Sequence, residues 1–161
     1  MKTASHSHLF RTTTRWTGNR GTGTSGYGAY DRNHIIEVEG KPPIAGSSDA
    51  SFRGDPGKHT PEDMLVSALS TCHMLWYLHI CADHDVVVMD YTDHAEGVMI
   101  VTTDGSGHFE SVTLHPVVTI KEESMRMLAN ALHVEAKAKC FIANSVNFPV
   151  FHKPVIELFG G

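Results

Sequence analysis

The sequence is poor in the features that mark several large classes of protein. Its 161 residues include only three cysteines, with no CxxC pair and no zinc-ribbon spacing. Lys and Arg number 13 against 18 Asp and Glu, and no basic patch stands out, so nucleic-acid binding is not expected. The first residues lack an apolar stretch of signal-peptide length, which predicts a cytoplasmic protein. In that reducing compartment, a cysteine pair is more often catalytic or redox-active than structural.

One long uncharged run has nearly the length of a membrane span. Residues 64–82 contain no Asp, Glu, Lys or Arg. The run nevertheless holds several polar side chains, acids flank it at both ends, and no positive-inside bias accompanies it. A helix that is apolar all round can also be the central buried helix of a soluble protein. We therefore expect no membrane association.

The order of the predicted elements indicates a strand-rich α+β fold. We expect one domain over residues 1–161, with residues 1–10 flexible. A first helix is predicted from Thr60 to about Asp83, because Thr60 can cap it and Pro61 suits its first position. A second helix begins near Glu122 or Glu123 and ends near residues 138–140. The predicted strands cover 9–24, a range that includes a glycine-rich turn, and 34–38, 86–91, 95–103, 109–120 and 155–159.

Each cysteine has a structural and a chemical interpretation. Cys72 lies among apolar residues of the first helix, which suits a buried core thiol, whereas a reactive thiol there needs a cation near its sulfur. Cys140 ends the second helix, where the helix dipole disfavours a thiolate, so it suits a resolving thiol better than an attacking one. Cys81 lies on roughly the opposite helix face from Cys72 and is interpreted as core. Twelve histidines are spread along the chain and resemble neither a tag nor one metal cluster.

A resemblance to a known family joins these features. The segment TPEDMLVSALSTCHML resembles the helix start of the OsmC/organic hydroperoxide resistance family, in which a Cys follows the first Glu by ten residues, as Cys72 follows Glu62 here. The hairpin WTGNRGTGT and the helix end AKAKC, which closes on Cys140, are also similar to the family's segments. The likeness runs from about Trp16 to Phe159 and favours the OsmC-like branch.

The resemblance implies an OsmC-like fold of antiparallel strands with two principal helices, assembled as an intertwined homodimer. Cys72 is then the peroxidatic thiol, Cys140 the resolving thiol and Glu62 the acidic partner of an activating arginine. Arg53, before the helix, is the preferred candidate for that arginine, and Arg20, in the glycine hairpin, is the alternative. Taken without the resemblance, all three are ordinary surface charges.

Helix geometry supports the dimer. Ten helical residues rise about 15 Å, too far for Glu62 to meet Cys72 of the same chain, although an arginine could bridge part of that distance. Two antiparallel copies of the helix would place one chain's Glu62 beside the other's Cys72, and would bury a helix that is apolar all round.

The predicted activity is reduction of organic hydroperoxides through a Cys72 sulfenic acid and a Cys72–Cys140 disulfide. The resemblance implies an external dithiol reductant, either a lipoylated protein or another small dithiol system. The reaction needs no metal, haem or other cofactor. An apolar substrate pocket is predicted from Leu65, Leu69, Trp76 and Phe141.

Two other interpretations compete with a peroxidase. In the first, the protein is a non-catalytic OsmC-like dimer that binds a small apolar ligand or senses redox state. In the second, Cys72 and His79 hold a metal ion, but two helical turns separate them by about 10 Å, too far for one ion.

Overall fold

The computed structural model describes residues 6–160. Residues 1–5, half of the segment expected to be flexible, lie outside the described residues, and residues 6–12 adopt no helix or strand. The described chain forms two compact units, which meet in sequence at Asp63 and Met64. A single domain over the whole chain stays a prediction.

The first unit holds a three-stranded antiparallel sheet. Its strands are, in order across the sheet, β1 Thr13–Trp16, β2 His34–Glu37 and β3 Ile44–Gly46, of which β3 was not predicted. A glycine-rich loop joins β1 to β2, and Asn19 Oδ1 accepts hydrogen bonds from the amides of Gly21 and Gly23. Both glycines have positive φ, of 111° and 57°, which residues with a Cβ rarely adopt.

The first helix, α1 (Pro61–Asp83), has the predicted bounds. A reciprocal pair of hydrogen bonds fixes its start, because Thr60 Oγ1 accepts from the Asp63 amide at 3.1 Å and Asp63 Oδ2 accepts from the Thr60 amide at 2.9 Å. α1 is long and apolar enough to cross a membrane, but the buried core helices of soluble proteins can have the same length and composition. The absence of membrane association stays a prediction.

The second unit contains six strands in two three-stranded sheets. The strands are β4 Val88–Asp93, β5 Glu96–Val101, β6 Gly107–Leu114, β7 Pro116–Ile120, β8 Val150–His152 and β9 Val155–Leu158. The sheets have the orders β4-β7-β9 and β5-β6-β8, and each combines one antiparallel pair with one parallel pair, since β7 runs parallel to β9 and β6 runs parallel to β8. The predicted single strand over 109–120 is wrong: the chain changes sheet at His115, and Pro116, which has no amide hydrogen to donate, opens the next strand.

The second helix, α2 (Arg126–Lys139), follows one 3-10 turn at Glu123–Met125. One core joins α1, α2 and the β4-β7-β9 sheet through Tyr77, Ile80, Val118, Ile120, Ala129, Leu132, Ala136 and Ile156. A second core joins α1 to β6 and β8 through Leu69, Val112, Leu114 and Val150. The predicted α+β fold with two principal helices is confirmed.

Candidate functional site

Two of the three cysteines belong to one site in the second unit. Cys72 lies at the middle of α1 and is half-buried. Cys140 is the first residue after α2, with φ −67° and ψ 109°, and is only 2% exposed. Its Sγ accepts a hydrogen bond from the Ala143 amide at 3.4 Å. All three cysteines are free thiols, and Cys81, 1% exposed, lies in the core as predicted.

The thiols of Cys72 and Cys140 are neighbours. Burial raises the pKa of Cys140 to about 11, and the adjacent Cys72 thiol adds to this rise, while the Ala143 amide opposes it. Cys140 therefore stays protonated near neutral pH.

An apolar cavity of about 300 Å³ opens beside Cys72. Its wall on α1 consists of Cys72, Leu75, Trp76 and His79, which share one helix face. Phe141, directly after Cys140, closes the other side, and its ring stands edge-on to Trp76 with centroids 5.4 Å apart. The end of α2 thus meets α1 at the position of the two thiols.

Of the four residues predicted to form the substrate pocket, Trp76 and Phe141 line this cavity, whereas Leu65 and Leu69 do not. Leu69 is fully buried and packs in the core with β6 and β8. Leu65 lies two turns before Cys72, whereas the cavity extends towards the end of α1, where Phe141 covers it. Leu75 and His79 were missed, although their spacing of three and seven residues after Cys72 places them on the same face.

The two candidate arginines both lie in the first unit and differ in what they contact. Arg20 donates hydrogen bonds to the carbonyls of Gly28 and Ala29, and lies 3.8 Å from Asp31, so the glycine-rich loop occupies it. Arg53 is exposed and forms no salt bridge with any of residues 6–160, its guanidinium lying 5.8 Å from the Tyr27 ring. Its φ of 63° is left-handed.

Glu62 occupies the first turn of α1 and is half-buried. Within residues 6–160 it forms no salt bridge, so its expected pair with an arginine is not made inside this chain. One cation from α2 lies near Trp76, a residue of the thiol cavity, but is paired with an acid. Lys139 Nζ lies 5.6 Å from the Trp76 ring and 2.6 Å from Glu135.

A buried histidine cluster, consisting of His73, His133 and His152, adjoins the thiol site. His73 follows Cys72 on α1, and its Nε2 shares a hydrogen bond of 3.0 Å with Nδ1 of His133 on α2. The His152 ring, from β8, lies 4.2 Å from the His73 ring. Burial, mutual repulsion and the nearby Lys137 lower the pKa of His73 to about 3, and burial lowers those of His133 and His152 to about 4. No metal-binding group of His, Cys, Asp or Glu occurs in residues 6–160.

Comparison with known proteins identifies the family. The sequence model of the family described as OsmC-like protein matches residues 54–153, and the chain belongs to this family. The match contains Glu62 and both thiols of the site. No curated protein matches the chain.

Solved structures share the fold. An OsmC-like protein of unknown function from Vibrio cholerae is 28% identical, with a TM-score of 0.81 over 92% of this chain and 100% of that chain. An organic hydroperoxide resistance protein from Legionella pneumophila is 18% identical, with a TM-score of 0.65 over 94% and 99% of the two chains. The organic hydroperoxide resistance protein OhrB of Bacillus subtilis is 16% identical, with a TM-score of 0.58 over 94% and 98%.

Proposed function

We propose that the protein is a thiol-dependent peroxidase that reduces organic hydroperoxides. The observation that carries the proposal is the pair of neighbouring thiols, Cys72 and Cys140, beside an apolar cavity. Two solved proteins with this fold bear the name organic hydroperoxide resistance protein, which supports the same assignment.

The reaction uses the two thiols in sequence. The Cys72 thiolate attacks the terminal peroxide oxygen, the O–O bond breaks, and the departing alkoxide takes a proton to leave as an alcohol. Cys72 is then a sulfenic acid. The Cys140 sulfur attacks the Cys72 sulfur, and a disulfide forms as water leaves. An external dithiol, for which we propose a lipoyl-type group, then reduces the disulfide by exchange and is itself oxidised.

Burial supports the two proposed roles. Cys140 is 2% exposed and its pKa is raised, so it is a poor first nucleophile, whereas the half-buried Cys72 lines the cavity that a peroxide can enter. Oxidation of Cys72 to a neutral sulfenic acid removes the negative charge that opposes ionisation of Cys140. The second thiol therefore becomes easier to ionise only after the first has reacted.

A homodimer completes the site in this proposal. Arg53 is the cation that holds Cys72 as a thiolate, and Glu62 of the second copy orients that guanidinium. Leu75 and Phe141 are 62% and 68% exposed at the cavity, and a second copy would cover such apolar surface. Three free thiols suit a reducing cytoplasm, where we place the protein.

The decisive experiment is a mass measurement of the intact, reduced protein before and after one equivalent of cumene hydroperoxide, without reductant. We expect the loss of two hydrogens and a peptide linking Cys72 to Cys140. The Cys140→Ser variant should instead gain one oxygen on Cys72, because the sulfenic acid is no longer resolved.

Cys81→Ser is the matched control, because it removes a thiol that is buried in the core with a raised pKa. It should form the same disulfide at the same rate. A wild-type protein whose thiols all remain free after peroxide treatment would refute the peroxidase, and would favour the ligand-binding alternative.

A further inference from the structure

A second cavity in the second unit has a chemical character opposite to that of the thiol cavity. It measures about 680 Å³ and lies between α2 and the β6–β8 pair. Asn130, His133, Val134 and Lys137 line it at helical spacing from α2, while Ser111 and Thr113 line it from one face of β6. The end of β8 and the following turn contribute His152 and Lys153.

The charge of this cavity is positive and uncompensated. Two lysines line it and no carboxylate does, although the whole chain carries a formal charge of −5. Neither Lys137 nor Lys153 forms a salt bridge with any of residues 6–160, whereas Lys58 and Lys139 each pair with an acid. Two lysines without an acidic partner in the same cavity attract a negatively charged ligand.

The neutral polar groups of the wall are also free to bind. No hydrogen bond within residues 6–160 occupies the side chains of Ser111, Thr113 or Asn130. Two hydroxyls and an amide beside two ammonium groups match the several acceptor oxygens of one carboxylate or phosphate. Val134 and Pro154 add apolar surface for the body of a ligand.

The histidine cluster forms part of the same wall. His133 is 4% exposed, its Nδ1 is engaged with His73, and its Nε2 has no hydrogen-bond partner among the described residues. Nδ1 of His152 also lacks a partner there. Buried polar atoms without partners are rare in folded proteins, and a bound water, ion or ligand is one of the explanations for them.

We propose that this cavity is a binding site for a small organic anion, a carboxylate or a phosphate monoester on a compact apolar body. Lys137 and Lys153 hold the anionic oxygens, the polar side chains of β6 and α2 complete the contacts, and the apolar part of the wall takes the body. The site is separate from the thiol chemistry, since none of its lining residues borders the thiol cavity.

Calorimetric titration of the reduced, full-length protein with phenyl phosphate, benzoate and benzyl alcohol tests the site. We expect saturable binding of one or both anions, weaker binding at high salt, and no displacement of the bound anion by the neutral alcohol. The two anions distinguish phosphate from carboxylate preference. Failure of both to bind saturably, or displacement of the bound anion by benzyl alcohol, would overturn the proposal.

Matched variants locate the binding. Lys137→Gln and Lys153→Gln should each weaken binding about tenfold, the effect of one charge-assisted hydrogen bond. Lys121→Gln removes an exposed lysine outside the cavity and should leave affinity unchanged. Binding should also move the imidazole NMR signals of His133 and His152. Equal weakening by all three lysine variants would show only general attraction, and would refute the site.

Cys72→Ser separates this proposal from the proposed peroxidase. It should abolish peroxide reduction and leave anion binding intact. Loss of anion binding in this variant would mean that the ligand occupies the thiol cavity, and would overturn the second site while leaving the peroxidase unaffected.

Discussion

Lowering the pH from about 7.5 to about 5.5 should reduce the free energy of unfolding by about 3 kcal/mol. The cause is the buried histidine cluster of His73, His133 and His152. Their folded-state pKa values, about 3, 4 and 4, lie below the ordinary value of 6.5 that they regain on unfolding. The unfolded chain therefore binds more protons as the pH falls below about 6.5, so stability declines there and is level above it.

The magnitude follows from the two histidines that are almost fully buried. At about pH 5.5 an unfolded histidine is mostly protonated while His73 and His133 remain neutral in the fold, which costs about 1.4 kcal/mol for each. This difference holds for any folded-state pKa below about 5. His152 is partly exposed and adds a smaller amount. The loss is a large part of the stability of an ordinary domain.

Urea unfolding followed by circular dichroism at a series of pH values, in buffers without phosphate, measures the effect. His133→Gln should lower stability near neutral pH but also flatten the pH dependence, because one proton-binding difference is gone. His108→Gln replaces an exposed imidazole and should leave the slope unchanged. A wild-type stability that is level from about pH 7.5 to about pH 5.5 would refute the reasoning.

Three substitutions test contacts that hold the fold, each by urea unfolding. Thr60→Ala removes the α1 cap and should cost about 1 kcal/mol, while Thr103→Ala, at an exposed turn, should cost nothing measurable. Tyr77→Phe removes the 3.0 Å hydrogen bond that the buried hydroxyl donates to the Ala129 carbonyl and should cost about 0.5–1.5 kcal/mol. Gly97→Ala would place a Cβ 2.7 Å from the Phe109 ring and should cost about 1–3 kcal/mol by overpacking. A cost below about 0.5 kcal/mol in any of the three test substitutions would contradict the contact concerned.

The sequence predicted well those elements whose ends depend on neighbouring residues alone. The bounds of α1 follow from Thr60 and Pro61, because capping and the first-position preference depend on neighbouring residues alone. The strands β3 and β8 have three residues each and were missed, since such short segments become strands only by pairing with β2 and β6.

The candidate site could be predicted only in part, because its residues come from distant segments of the chain. Cys72 and Cys140 are separated by more than sixty residues, and only the family resemblance paired them. Nothing in the local sequence of His73 or His133 marks a buried histidine, because their burial depends on how α1, α2 and β8 pack. The cation-lined cavity is likewise assembled from distant segments, so no local pattern could have indicated it.

Arg53 offers a test in which stability and activity should change in opposite directions. Its φ of 63° and ψ of 30° are left-handed, a conformation that costs a residue with a Cβ roughly 1–2 kcal/mol more than glycine. Strain of this kind persists most often at functional positions. Arg53→Gly relieves this strain and should raise the free energy of unfolding by up to about 1 kcal/mol. The gain is smaller than the strain because glycine has greater freedom in the unfolded chain.

The same variant should reduce cumene hydroperoxide at least about tenfold more slowly, because a neighbouring cation lowers a thiol pKa by about 1–3 units. Arg53→Lys keeps the charge and should retain part of the rate, which separates loss of charge from loss of backbone strain. If Arg53→Gly is stabilised and still reduces peroxide at the wild-type rate, Arg53 is not the activating cation. Arg20→Gln would then be the informative variant, although Arg20 is already occupied by the carbonyls of its own loop.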